Sequence, residues 1–94
     1  MTIKRILIID DEADVREIAK ASLEITRQWE VTTAASGEEG VKLASTYRPD
    51  AILLDVVMPK TDGLATLQQL SKNTDTRHIP VILLTATLRL ATQQ

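Results

Sequence analysis

Short apolar runs and longer amphipathic stretches take turns along the 94-residue chain, with two different periods. Residues 3–9 form an isoleucine-rich run broken only by Lys4 and Arg5. Such continuity marks a strand buried on both faces, as in parallel sheets. The run stops at Asp10 and Asp11. Asp11 is placed to cap the helix that follows, and Glu12 and Asp14 suit the positive end of its dipole. Val15, Ile18, Ser22 and Ile25 recur at helical steps with Ala19 and Leu23 beside them. They predict a core-facing stripe on a helix over 12–27, with Arg16, Lys20, Glu24 and Arg27 on its solvent side.

Residues 29–34 are short and rich in β-branched side chains, a second strand. Ser36 followed by Glu39 is a capping box, opening a helix to about residue 46. Its apolar positions are Val41, Leu43 and Ala44. Arg48-Pro49-Asp50 is a stop and turn. Residues 51–54 are a third apolar strand ending at Asp55. Residues 58–63 read as a loop by their Pro and Gly, with Asp62 capping a third helix that ends near Asn73. Residues 75–80 are another loop. Residues 81–84 are a fourth apolar strand ending at Thr85, and 88–94 have the pattern of a helix start.

Strands that alternate with helices predict an α/β three-layer sandwich of flavodoxin-like type, a parallel sheet with right-handed crossovers. Function in such sheets gathers at the carboxyl ends of the strands, where strand order reverses. With order 2-1-3-4 the first and third strands are neighbours at that reversal. Asp10, Asp11 and Asp55 then share one crevice, although more than forty positions separate them in the chain.

Composition narrows the picture. Apolar residues make up 44% of the chain and charged residues 26%, the balance of a globular domain. At this length one domain, residues 1–94, is expected. Eleven basic and thirteen acidic residues give a net charge of -2, which argues against phosphate-driven nucleic-acid binding. The chain has no cysteine, excluding disulfides and thiolate metal sites. No run approaches the roughly twenty apolar residues of a membrane span, nor the pattern of an export signal, so a cytoplasmic location is expected.

Close carboxylates repel, and a divalent cation relieves the repulsion. Oxygen ligands with room for water suit Mg²⁺. A carboxylate beside such a cation is also a nucleophile toward a phosphoryl group, the metal offsetting the charge of the transferring oxygens. Thr85, at the next strand end, is placed to hydrogen-bond one of those oxygens, although a threonine there is also an ordinary strand former. His78 stands alone in a polar loop and reads as surface.

These residues carry a resemblance. Ile6-Leu7-Ile8-Ile9-Asp10-Asp11-Glu12, Leu53-Leu54-Asp55-Val56-Val57-Met58-Pro59, Asp62-Gly63 and Pro80-Val81-Ile82-Leu83-Leu84-Thr85-Ala86 resemble, in order, the motifs of bacterial response regulator receiver domains. The resemblance implies that Asp55 accepts phosphate from a phosphohistidine on a sensor histidine kinase or phosphotransfer protein. It implies Mg²⁺ held by Asp10, Asp11, Asp55 and the backbone carbonyl of Val57, with Thr85 and Ala86 at the phosphoryl and switch position. The family continues through a fifth strand, a lysine just after it, and a last helix, all beyond residue 94. Lys60 and Lys72 do not match that lysine's place.

That departure leaves a second reading, a phosphorylation-independent interaction or dimerisation module. A shortened fold would also leave the fourth strand as an apolar edge and one face of the first strand partly bare. Self-association through that strand or the tail over 87–94 is therefore expected. A third reading, a phosphoaspartate-forming hydrolase, needs an acid two residues beyond Asp55; that position is Val57, so a non-enzymatic, stand-alone signalling role is expected.

Overall fold

The computed structural model describes residues 4–58 and 61–84. Its elements run β1 (Arg5–Ile9), α1 (Ala13–Arg27), β2 (Glu30–Ala34), α2 (Gly37–Tyr47), β3 (Ala51–Asp55), β4 (Val57–Met58), β5 (Thr61–Asp62), α3 (Gly63–Lys72) and β6 (Val81–Leu84). The main sheet is parallel with order β2-β1-β3-β6, the arrangement the alternating pattern predicts. Residues 85–94, including the expected helix start over 88–94, lie outside the described residues.

Register sets which side chains share a face. Thr33, Ile8, Leu53 and Ile82 are partners across the sheet, as are Ala34, Ile9, Leu54 and Leu83. The second row lies under α2 and α3, in a core of Leu7, Ile9, Ala34, Ala44, Ile52, Leu54, Leu70 and Ile79. The first row lies on the α1 side, with Ile6, Ile8 and Val31 buried and Ala19, Leu23 and Trp29 packed on them. Leu7, Ile8, Ile9, Ile52 and Leu54 are fully buried, which is why β1 and β3 read as unbroken apolar runs.

The helix starts differ in how they are made. Ser36 Oγ accepts the Glu39 amide at 3.2 Å, as the capping box predicts. The reciprocal bond lands one residue early, with Glu39 Oε1 accepting from the Ala35 amide at 2.7 Å. At α1 the expected Asp11 cap is not formed: Glu12 holds the cap position, and its amide donates to Asp10 Oδ1 at 2.9 Å. Asp11 is thereby left to the crevice. At the other end of α2, Arg48 turns left-handed (φ 54°) and Pro49 prevents continuation.

Two further expectations are corrected. Residues 58–63 are not simply a loop, because Val57–Met58 and Thr61–Asp62 pair as a short antiparallel ladder before α3. The Val15/Ile18/Ser22/Ile25 stripe is not core: α1 has no fully buried residue, and Ile18 and Ile25 are 68% and 80% exposed. α1 packs over β1 and β2 through Ala19 and Leu23. Its Arg16 and Lys20 flank lines a cavity of about 170 Å³ with Thr33 of β2, so Ile18 and Ile25 sit on the flank turned away from β2. Periodicity located the apolar flank but not the roll of the helix.

The turn after α3 also carries core. Thr76 and Ile79 are buried, and Thr76 Oγ1 donates to the Leu70 carbonyl at 2.7 Å, tying the turn to the end of α3. His78 is exposed, as its polar surroundings suggest.

Candidate metal centre

Asp10 stands one residue past β1, where its amide still donates to the Ala34 carbonyl at 3.1 Å, extending the β1–β2 ladder. Its carboxylate takes the Glu12 amide, and its carbonyl accepts from Arg16 Nη1 at 2.7 Å. Asp55 is the last residue of β3, paired with Leu84 of β6. Adjacent parallel strands thus bring both aspartates to the same end of the sheet, and Asp11 follows from the turn into α1. Asp10, Asp11 and Asp55 each offer a carboxylate oxygen, all within 4.8 Å of one another.

Asp10 is 3% exposed and Asp55 5%, while Asp11 is half-buried and opens the site to solvent. Two full charges at that separation repel by on the order of 3 kcal/mol at an effective dielectric of about 20. The Asp10 carboxyl is raised above its ordinary value of 3.8. Burial is the largest cause; the Glu12 amide bond opposes it, and the charges of Asp55, Asp11 and Glu12 add to the rise. The donor set is all oxygen, with two members held rigidly by strands and one at the opening. That chemistry fits a hard divalent cation that keeps several waters, as Mg²⁺ does.

Sequence reasoning located the three aspartates. It missed Arg16, assigned to the solvent side but half-buried and bonded to the Asp10 carbonyl. It also missed what Gly63 does: a Cβ there would meet Val56 Cα at 2.3 Å and the Asp55 carbonyl oxygen at 2.8 Å. A glycine opening a helix immediately after a strand-end loop was the available signal. Val57 opens β4, two residues after Asp55, while Thr85 and Ala86 lie outside the described residues.

The doubly wound parallel sheet thus carries an acidic cluster at its switch point, where ligands bind in such folds. The chain belongs to the response regulator receiver domain family, whose model matches residues 6–94, and is a receiver domain of two-component signalling. Over 83 residues it is 43% identical to "Probable transcriptional regulator ycf27" of Cyanophora paradoxa, covering 88% of this chain and 33% of that protein. The N-terminal domain of a response regulator receiver protein from Methanoculleus marisnigri JR1 superposes with a TM-score of 0.86. That pair is 35% identical, over 92% of this chain and 69% of that one. Chemotaxis protein CheY4 of Vibrio cholerae gives a TM-score of 0.84 at 28% identity, over 98% and 77% of the two chains. The chain therefore spans about a third of the ycf27 relative's length. Among the described residues no helix is long and apolar enough to cross a membrane.

Proposed function

We propose that this domain acts in a phosphorelay, with Asp55 taking a phosphoryl group from a phosphohistidine on a sensor histidine kinase or phosphotransfer protein. An Asp55 carboxylate oxygen bonds to phosphorus as the phosphorus–nitrogen bond breaks, and the imidazole leaves with the electron pair. The observation that carries this reading is the gathering of three carboxylates within 4.8 Å around one strand-end aspartate. Asp10, Asp11, Asp55 and the Val57 carbonyl would hold Mg²⁺, which supplies positive charge against the oxygens of the transferring group. Asp10 is kept in place by the Glu12 amide and, through its backbone, by Arg16 and Ala34. Thr85 and Ala86 are assigned to the phosphoryl-responsive position on the family resemblance. The setting is cytoplasmic, and the role is signalling rather than turnover of a substrate.

The test is incubation with acetyl phosphate and Mg²⁺ followed by intact mass. An adduct of about 80 Da that disappears in Asp55→Asn supports the reading. No adduct under conditions where another receiver is labelled contradicts it.

A second reading, an interaction module independent of phosphorylation, is favoured by one observation. Ile18, Ile25 and Ile82 are 68%, 80% and 54% exposed, an apolar excess that suits contact with a second copy of the chain. Sedimentation of Ile25→Ser against the parent chain decides whether that surface joins copies: a concentration-dependent dimer lost in the variant supports it, a monomer throughout does not.

A further inference from the structure

α3 begins at Gly63 with no turn of its own between it and the short β4–β5 ladder. Its first residue sits against the backbone at the end of β3. A Cβ built on Gly63 would lie 2.3 Å from Val56 Cα, 2.8 Å from the Asp55 carbonyl oxygen and 2.8 Å from the Val56 carbonyl carbon. All three are main-chain atoms, so no side-chain rotation can make room. Gly63 does not adopt a left-handed backbone, so what requires glycine there is proximity and not dihedral freedom.

The touched segment is also the one that places the acidic site. Asp55 carries the carboxylate that meets Asp10 and Asp11, and the Val56 carbonyl carbon is bonded to the nitrogen of Val57. On the other side the β3–β6 ladder continues past Asp55, where the Val56 amide donates to the Leu84 carbonyl at 3.2 Å. The other close glycine offers a contrast. A Cβ on Gly40 would strike Ile9 Cδ1 at 2.4 Å and Cγ1 at 2.7 Å, the far end of a side chain in the core under α2.

We propose that Gly63 is a positioning residue for the acidic site: direct contact between the start of α3 and the Asp55–Val56 backbone fixes where Asp55 and Val57 stand. The proposal rests on reading Asp55 and Val57 as part of a cation site. Adding a methyl group at residue 63 forces the end of β3 away from α3, and the Asp55 carboxylate moves with it. Adding one at residue 40 disturbs core packing and leaves the crevice alone.

The experiment compares the parent chain, Gly63→Ala, Gly40→Ala and the double variant Gly63→Ala/Val56→Ala by backbone amide NMR, first metal-free and then titrated with MgCl₂. Gly63→Ala should shift the amides of residues 55–57 while β1 and β2 stay unchanged, and weaken Mg²⁺ binding by about 10- to 100-fold. Truncating Val56 should not restore binding, because the obstructing atoms remain. Gly40→Ala should lower the melting temperature and keep the Mg²⁺ affinity within about twofold. A folded Gly63→Ala chain with parental affinity and unmoved amides at 55–57 overturns the proposal, and so does equal loss of affinity in both glycine variants. If Gly63→Ala unfolds in buffer, the titration is repeated in trimethylamine oxide, which favours the compact state. A chain still unfolded there overturns the proposal too, since a displacement confined to the site leaves the core intact. Absence of Mg²⁺ binding by the parent chain would remove the cation reading itself, and the metal-free amide shifts would still decide whether Gly63 holds the end of β3.

Discussion

The two faces of the sheet carry rows of nearly the same chemistry and are buried to different depths. Under α2 and α3, the row Ala34, Ile9, Leu54 is sealed, and exposure appears only at Leu83, 40% open. On the α1 side, Ile8 is fully buried but Leu53 is only half-buried, and Ile82 is 54% exposed. One described helix covers that face where two cover the other. A single helix of about 10 Å diameter spans roughly two strands spaced about 4.8 Å apart, so β3 and β6 lie beyond the reach of α1. The sealed face therefore holds most of the packing energy, and the open face keeps apolar side chains exposed among the described residues. The acidic site sits at the strand ends between them, and its geometry depends on the sealed side.

The largest effect should come from the sealed row. Leu54→Ala should cost about 2–5 kcal/mol in urea unfolding, and Leu53→Ala, one residue away on the open face, distinctly less. Equal losses would erase the difference between the faces. Removing the cap of the helix over the sealed face, Ser36→Ala, should cost about 1 kcal/mol by the same measurement.

The site itself should show through pH. The folded state raises the Asp10 carboxyl above 3.8, so the folded chain binds that proton more tightly than the unfolded chain does. Ionised Asp10 then costs stability above its folded value, and the cost vanishes as pH falls toward 3.8. Metal-free Asp10→Asn should thus be more stable than the parent at neutral pH, with the gap closing in acid. With MgCl₂ present the order should reverse, because only the parent gains from binding. A gap that widens in acid would contradict the sign. The smallest effects belong to the open flank: Ile18→Ser and Ile25→Ser should each change monomer stability by less than about 0.5 kcal/mol. A larger loss in dilute solution would mean that these side chains are packed.

Much of this was legible in the chain, and the failures have physical causes. β1 and β3 declared themselves because strands buried on both faces need unbroken apolar runs, and Asp10 and Asp55 because carboxylates that end such runs are rarely there for packing. The roll of α1 was not legible: Ile18 and Ile25 obey helical periodicity as well as Ala19 and Leu23 do, and only the position of α1 over β1 and β2 decides which pair is covered. Arg16 was misplaced for the same reason. Asp11 reads as a cap by type, but the helix begins one residue later, with Glu12 in the cap position and its amide on the Asp10 carboxylate. Gly63 was read as part of a loop because sequence shows that a side chain is missing, not what stands in the space.

The most direct measurement is paramagnetic broadening of backbone amide signals by substoichiometric Mn²⁺, a substitute for Mg²⁺ at oxygen-ligand sites. The amides of residues 10–12 and 55–57 should fade together and first, and recover when MgCl₂ is added in excess. Broadening that spreads evenly over the acidic surface, or that begins at Glu38 and Glu39 of α2 while residues 55–57 stay sharp, would contradict a shared cation beside Asp55.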